Sequence, residues 1–487
     1  MQIGRREFLE FLGFAAGAGL LAATPRAGCA QAAHPLAERL ADYADHLRYD
    51  DLDAATIERV KVHCIDTLGC GIAALDEPPV RICRDVALAP AGGVATVIGS
   101  SRRSTPELAA FANGAAFRYY DLNDTYASTS FGAVHPSDHI APCLAVAESE
   151  GASAADLMTA IVLAYEINCR LLDASDAGNR GWDLPVFSLP AVALAAGKLM
   201  KLPPSKLVQA VSLALNDHIP MGQTRTQTNS DWKGFADAEA ARNAVFAAML
   251  ARGGISGPAP IFEGRKGFFQ LVSTPADVDV GAFGGRDVPF KIHQCGIKPY
   301  PAVVYAQTAI IAGIAVAKEI GTIDRVADIE IATSRRGYEQ AGRDREKWTP
   351  ENRDTADHSL PYITTRAMFD GEISNASYTP EKLRDPRTLA FMRKITVKED
   401  PAFATAKGNA PSTRLIVTLD DGRQITRQVD DLPGFPGQPM SRADIERKFR
   451  SNVGQRWPKE RTDAVLRTLW ALDTMGDVPA LLRTLAL

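Results

Sequence analysis

Several common signatures of function are missing from this sequence of 487 residues. The chain has no long basic run and a formal net charge of −4, so its electrostatics do not indicate a nucleic-acid partner. No glycine-rich phosphate loop follows a predicted strand, which argues against a nucleotide-binding α/β fold. The composition, with 46% hydrophobic and 23% charged residues, is typical of a soluble globular protein with a large core.

Cysteine motifs are missing as well. The seven cysteines form no CxxC pair and no Cys/His cluster with the spacing of a zinc site. The first residues, described next, resemble a signal for export of an already folded protein. An oxidising compartment outside the cytoplasm would permit disulfides, but a protein that folds before export does not need them. We therefore expect buried free thiols at the six positions that follow Cys29: Cys64, Cys70, Cys83, Cys143, Cys169 and Cys295.

The first residues form a separate segment with the features of an export signal. An apolar stretch from Phe11 to Ala23 is too short and too rich in Gly and Ala to span a bilayer comfortably. It follows the twin-arginine pattern GRREFL at residues 4–9 and precedes a small-residue cleavage site at residues 30–32. These features predict a twin-arginine signal over residues 1–32 and a periplasmic mature protein. The alternative is an uncleaved membrane anchor.

The body of the chain is predicted to be mainly α. Apolar residues recur at helical spacing from Leu36 to Arg252 without strand–helix alternation, and Gly69 and Gly71 are expected to allow a close helix neighbour. Asp50 and Asp51 are candidates to cap the second helix. A mixed region follows, with a hairpin signal at Asp-Asp-Gly 420–422. The predicted domains are a large all-helical domain at 33–297, a smaller inserted α+β lid domain at 298–440, and C-terminal helices at 441–487 that return to the helical domain.

One segment, Asn113–His139, concentrates groups suited to proton transfer. It lies between two apolar helical patterns, where binding and catalytic residues are often found. A base, an acid and a cation are what proton transfer on a small acid requires. The alternative is that these residues only cap the flanking helices. The polar residues are Arg118, Asp121, Asp124, Thr125, His135, Asp138 and His139.

Stretches along nearly the whole mature chain resemble the MmgE/PrpD family, which includes 2-methylcitrate dehydratase, cis-aconitate decarboxylase and iminodisuccinate epimerase. HPSD and TADHSLPY are closer to the 2-methylcitrate dehydratase branch. The resemblance implies a helical domain with a closing lid and a homodimer. The stretches are DTLGCGIAAL (66–75), ANGAAFRYYDLNDT (112–125), HPSDHIAPCLAVAE (135–148), AYEINCRL (164–171), LARGGISGPAPIFEGRKGF (250–268), KPYPA (298–302) and DHSLPY (357–362).

The resemblance also implies a site. We predict Asp121, His135 and Tyr362 as catalytic residues, where His135 can act as acid or base near neutral pH. The predicted substrate-binding residues are Thr125, Lys233 and Lys298 from the family motifs, with Arg118 and His139 as further cations for a carboxylate. The expected activity is that of a dehydratase, without cofactor or metal, acting on a small di- or tricarboxylate such as 2-methylcitrate. No nucleic-acid partner and no stable membrane insertion after signal cleavage are expected.

The sequence departs from the family pattern at several positions. Arg118 replaces a usual histidine, Asn123 replaces an aspartate, and Val303 and Tyr305 follow KPYPA where relatives often carry a histidine or glutamate. These changes keep three alternatives open: an epimerase or isomerase, a decarboxylase, and an exported carboxylate-binding protein without catalysis. A metal between His135 and His139 lacks a suitably spaced third ligand.

Overall fold

The computed structural model describes residues 34–128, 132–403, 411–454 and 456–485, of which residues 35 onward belong to one compact unit. Its structure is mainly α, as predicted. None of the described helices is both long and apolar enough to cross a membrane. The predicted signal at 1–32 lies outside the described residues.

The helices within the described ranges are α1 Leu36–His46, α2 Ala54–Ala74, α3 Pro78–Ala87, α4 Pro106–Arg118, α5 Ile140–Glu150, α6 Ala154–Ala174, α7 Ser188–Leu199, α8 Pro204–Asn216, α9 Ala236–Gly253, α10 Phe268–Leu271, α11 Gln307–Ile320, α12 Arg335–Ala341, α13 Arg353–Ala356, α14 Leu360–Asp370, α15 Pro380–Leu383, α16 Pro386–Met392, α17 Arg442–Val453, α18 Lys459–Trp470 and α19 Val478–Leu485. The strands are β1 Ala95–Thr96, β2 Arg103–Ser104, β3 Asp124–Ser128, β4 Gly132–Val134, β5 Gly296–Ile297, β6 Val326–Thr333, β7 Ile395–Glu399, β8 Thr413–Leu419 and β9 Gln424–Val429.

A first hydrophobic cluster draws on both ends of the described chain. Its buried residues come from 36–297 and again from 445–485. Helix α2 packs against α17, and a Cβ added at Gly69 would lie only 2.9 Å from the ring of Phe449. The expected close helix approach is therefore present, and a glycine is what permits it.

A second hydrophobic cluster is formed by residues 302–435. It contains a four-stranded sheet in the order β7-β6-β8-β9, with β6 parallel to β7 and antiparallel to β8. Strand β8 buries every second residue, and α11 packs on β8 and β9. The alternation explains why the hairpin at 420–422 was visible in the sequence: one face of the strand is apolar and the other is partly exposed.

Three local features differ from, or sharpen, the sequence-based expectations. Asp53, not Asp50 or Asp51, caps α2 by accepting a hydrogen bond from the Thr56 backbone N–H at 2.7 Å. The six cysteines within the described residues are buried and free, as expected. The region predicted to be all-helical contains short strands, and three of them organise the site.

Strands β3, β4 and β5 form a sheet in the order β4-β3-β5. Tyr126 in β3 pairs with Val134 in β4, and Asp124 pairs with Ile297 in β5. This pairing brings the segment after α4 close to His135 and to Lys298, which are distant in sequence. The prediction of an all-helical region failed here because two- to five-residue strands leave little periodic signal.

Candidate active site

Asp121 is the centre of a buried cluster of charges. It follows α4 with a left-handed backbone (φ 52°), a conformation that non-glycine residues seldom adopt outside turns and functional sites. Its Oδ1 accepts hydrogen bonds from Arg118 Nη1 and from Lys298 Nζ, both at 2.5 Å. Burial opposes ionisation, but Arg118 and Lys298 together hold the pKa of Asp121 well below its usual range. Asp121 is therefore an anion near neutral pH.

The hydrogen bonds of His135 fix its protonation state. Arg118 Nη2 lies 2.9 Å from His135 Nε2, and His135 Nδ1 lies 2.7 Å from the Asp124 carbonyl oxygen. A guanidinium can only donate, so Nε2 must be the unprotonated acceptor, and a carbonyl can only accept, so Nδ1 must carry the proton. Burial, with Arg118 and Lys298, lowers the pKa of His135 well below its usual range. The ring is neutral, and Arg118 covers its lone pair.

The Asp124 carboxylate stabilises the turn that follows His135. One carboxylate oxygen accepts from the Ser137 backbone N–H at 3.0 Å and the other from the Tyr165 hydroxyl at 2.8 Å, while His63 Nδ1 lies 3.0 Å away. Burial opposes ionisation, but the bonds from His63 and Ser137 lower the pKa of Asp124 to about 2. Its role in this structure is to hold the turn that presents His135.

A second acid–imidazole pair lies across from this cluster, between α13 and α14. His358 Nδ1 is 2.7 Å from Asp357 Oδ1, and Lys233 Nζ donates to both Asp357 oxygens at 2.7 Å. The two short contacts from an ammonium identify Asp357 as a carboxylate, so His358 Nδ1 is the donor. His358 Nδ1 also lies 3.8 Å from Asp121 Oδ2, which places the Asp357–His358 pair in the same site as Asp121 and His135.

A cavity of about 620 Å³ opens onto this site. Asp121, His135 and His358 lie on its wall, together with side chains from both hydrophobic clusters. Two contacts link the clusters beside it: Arg336 donates to the Asn179 side-chain oxygen, and the Gln227 N–H donates to Asp344 at 2.9 Å. Among the described residues the arginines that line the cavity are Arg118, Arg225, Arg335, Arg336 and Arg343, and the acids are Asp121, Asp183, Glu339 and Asp344.

Two protein-family models together match most of the chain. Residues 38–281 match the MmgE/PrpD N-terminal domain, and residues 300–472 match the MmgE/PrpD C-terminal domain. The chain belongs to the MmgE/PrpD family. The segment between the two family matches, 282–299, contains Phe283 to Ile297 of the first hydrophobic cluster and the first residues of the KPYPA motif.

Similar proteins within the MmgE/PrpD family carry two kinds of name. The 2-methylcitrate dehydratase of Cupriavidus necator is 28% identical over 458 residues, which cover 88% of this chain and 92% of that protein. The 2-methylcitrate dehydratase of Salmonella typhimurium is 29% identical with the same two coverages. The cis-aconitate decarboxylase of Mus musculus is 25% identical and covers 92% of this chain and 93% of its own length. These relatives support a dehydratase or lyase as the class of enzyme.

The residues predicted from the MmgE/PrpD motifs reach the cavity unequally. Asp121, His135 and Arg118 line it. Lys298 and Lys233 are fully buried behind it, where their ammonium groups bind Asp121 and Asp357. Both lysines therefore act on the described cavity through a carboxylate and not by facing it.

Three further predicted residues make contacts that do not involve the cavity. The Tyr362 hydroxyl donates to the Ser377 carbonyl at 2.7 Å, and the Thr125 hydroxyl donates to the Val134 carbonyl at 3.3 Å. His139 is buried, with its Nε2 at 3.5 Å from the Asn168 amide nitrogen. The structure thus does not bring Tyr362, Thr125 or His139 to the cavity wall, and their predicted roles have no contact there to support them.

Sequence reasoning overlooked other cavity residues. His358 is not among the residues predicted from the sequence, although it belongs to the DHSLPY motif, where the adjacent Asp357 could have signalled an acid–imidazole pair. Arg225 is the last residue of a short 3-10 helix, Gly222–Arg225, in a segment without apolar periodicity, so nothing in the local sequence marked it. Its Nε donates to Asp183 at 2.7 Å, and its Nη2 lies 3.6 Å from Asp237.

Asp121, Asp357 and His358 are also close enough to be considered as metal ligands. One ligand atom from each lies within 4.8 Å of the others. Asp121 is already bound by Arg118 and Lys298, and Asp357 by Lys233. A divalent cation would have to displace these protein cations from both carboxylates, so the donor set does not favour a metal.

Proposed function

We propose that this protein is a cofactor-independent lyase that removes water from a small di- or tricarboxylate such as 2-methylcitrate. The observation that carries the proposal is the cavity itself: arginines line it, and Asp121, His135 and His358 lie together on its wall. Arginine forks bind carboxylates in a fixed orientation. Abstraction of a proton beside a carboxylate and departure of hydroxide need the acid–base groups that lie among them.

The relatives support the class of reaction. Those named 2-methylcitrate dehydratase match at 27–29% identity and cover 88% of this chain. Arg118, which takes the place of a usual histidine, lies in the centre of the site and contacts both Asp121 and His135. The substrate can therefore differ from that of the relatives, and for this reason the proposal names a class of acid with 2-methylcitrate as its example.

The test is turnover of a panel of hydroxy-acids, including 2-methylcitrate and citrate, by purified protein. We expect a new ultraviolet absorbance from the unsaturated acid, with loss of one water per product. Dialysis against EDTA should leave the rate unchanged, because protein cations already bind both carboxylates of the possible metal cluster. Released carbon dioxide would instead identify a decarboxylase, and solvent deuterium in an otherwise unchanged acid would identify an epimerase. Thermal stabilisation by an acid that gives no product would identify a binding protein.

The proposal also includes location and assembly. We infer export by the twin-arginine route and a homodimer of the mature chain. Replacing Arg5 and Arg6 by lysine is expected to leave the protein in the cytoplasm, because the paired arginines are the signal that directs a protein to this export route. Cell fractionation of the variant and of the unchanged protein gives the measurement. Replacing Arg102 and Arg103, an exposed arginine pair in the mature protein, by lysine is the matched control. Normal export of the Arg5/Arg6 variant would refute this signal.

A further inference from the structure

Two neutral imidazoles lie on the cavity wall, and their hydrogen bonds differ in one respect that decides which can accept a proton. His135 uses both ring nitrogens: Nδ1 donates to the Asp124 carbonyl, and Nε2 accepts from Arg118 at 2.9 Å. To become a base, His135 would first have to lose Arg118, which a buried ion pair with Asp121 holds in place. In this arrangement His135 has no lone pair to offer a substrate.

His358 has the complementary arrangement. Its Nδ1 donates to Asp357, which leaves Nε2 unprotonated, and Nε2 has no hydrogen-bond partner among the described residues. The ring nevertheless lines the cavity. A lone pair on a cavity-lining imidazole, with a carboxylate that orients the ring from behind, is the geometry expected of a general base.

The loop that carries His358 is rigidly held. Val303 N–H donates to the Asp357 carbonyl at 2.9 Å, and Ser359 caps α14 by accepting from the Tyr362 N–H. Lys233, fully buried, binds the Asp357 carboxylate. The orientation of the imidazole is thus determined by Val303, which follows the KPYPA motif, by a helix cap and by Lys233, which precedes α9.

On the basis of the proposed lyase function, we propose that His358 accepts the substrate proton, that Asp357 and Lys233 position it, and that Arg118 holds His135 in a form that cannot accept. The C–H bond breaks, its proton passes to His358 Nε2 and its electron pair forms the carbon–carbon double bond. The C–O bond breaks with its electron pair on oxygen. The imidazolium then gives its proton to that oxygen, so that water leaves and His358 is neutral again.

The electrostatics agree with a neutral acceptor. Burial, with Lys233 and Lys347, lowers the pKa of His358 well below its usual range, while Asp121 opposes the shift. A base with a lowered pKa is unprotonated near neutral pH before substrate binds. A bound polycarboxylate adds negative charge beside the ring, which raises its affinity for a proton when the proton is transferred.

The test compares His358→Gln, His358→Ala and His135→Gln in the full mature chain, with 2-methylcitrate and citrate as probes. Elimination is followed by absorbance, and exchange of carbon-bound hydrogen in deuterium oxide by NMR. We expect His358→Gln to lower both rates by roughly 10²- to 10⁴-fold, the usual contribution of general acid–base catalysis. His135→Gln should lower them less. Added imidazole should restore part of the rate of His358→Ala, because the cavity of about 620 Å³ has room for it. It should not restore the rate of a further variant, His135→Ala, because the His135 ring offers the substrate no lone pair.

The two readouts separate this inference from the proposed function. Exchange without elimination in the unchanged protein, lost in His358→Gln, supports His358 and overturns only the dehydratase. Elimination by His358→Gln within a few-fold of the unchanged protein overturns His358 as the base. Absence of both reactions in the unchanged protein overturns both. Thermal unfolding of His358→Gln checks that the fold is intact, and if His358→Ala does not fold, the glutamine variant alone decides.

Discussion

Asp121→Asn is expected to lower the free energy of unfolding by about 3–5 kcal/mol, the usual cost of breaking a buried ion pair by removing one partner. The carboxylate is 1% exposed and is bound by Arg118 and Lys298, which are also buried. An asparagine oxygen accepts a hydrogen bond but carries no charge, so Arg118 and Lys298 both lose the charge of this partner. The measurement is chemical denaturation at neutral pH. Activity should be lost in the same variant, because Lys298 and Arg118 are released from their positions.

The pH dependence of this effect has a defined sign. The folded-state pKa of Asp121 is depressed, so its contribution to stability is fully present above the pKa of an unfolded aspartate, about 3.9, and disappears as the pH falls through the folded value. The difference between the unchanged protein and Asp121→Asn should therefore shrink in acid. A difference that is constant from neutral to strongly acidic pH would contradict the ion-pair explanation.

A matched control uses an exposed pair. Asp324 lies 3.1 Å from Arg387, and both side chains are more than half exposed. Asp324→Asn is expected to change stability by about 0–1 kcal/mol, as is usual for surface ion pairs. Similar losses for Asp324→Asn and Asp121→Asn would show that burial does not decide the energetics of the Asp121 cluster.

Arg225→Met is expected to raise KM for the substrate about ten- to a hundredfold, with a smaller effect on kcat. The loss of one charge-assisted hydrogen bond costs about 1.5–3 kcal/mol. Arg225 lines the cavity, and two of its five N–H donors are used in hydrogen bonds to Asp183 and to the Lys233 carbonyl. Nη2 lies 3.6 Å from Asp237, beyond hydrogen-bond distance, so its N–H groups remain to bind a carboxylate. Steady-state kinetics on the acid that is turned over gives the measurement.

Two further variants make this result interpretable. Arg225→Lys keeps the charge but loses the planar fork, so KM should lie between the two extremes. Arg427, an exposed arginine on β9 that pairs with Glu319 on α11, is the control, and Arg427→Met should leave KM unchanged. Because Arg225 also binds buried Asp183, thermal unfolding is measured in parallel. A drop in kcat with unchanged KM in a folded Arg225→Met would exclude a binding role.

Much of the fold could be predicted from the sequence because its signals are local. Pro106 occupies the first helical position of α4, Gly151 ends α5 with a left-handed backbone (φ 61°), and the strands at 413–419 and 424–429 flank the predicted turn. Each of these depends on backbone preferences of a few neighbouring residues, or on apolar periodicity along one element. The family resemblance rests on the same kind of information, since motif residues are read in place.

The site could be predicted only as a set of candidates. The sequence brought forward Asp121, His135 and Lys298, and the structure joins them around one carboxylate because β3 pairs with β4 and β5. The sequence does not show that the Tyr362 hydroxyl donates to the Ser377 carbonyl, because this contact depends on the direction that a side chain takes from its helix.

Pairing between distant charges was decided only by the tertiary structure. Lys233 binds Asp357 and so does not face the cavity as a cation for the substrate. Arg118 covers His135 Nε2, so His135 cannot act as the base that its residue type suggests. The reason is physical: a buried charge must find a partner, and which partner it finds depends on the whole fold. The sequence by itself determined the helices, the hairpin and the residue types of the site, whereas the tertiary structure determined which cavity-lining imidazole keeps a ring nitrogen without a partner among the described residues.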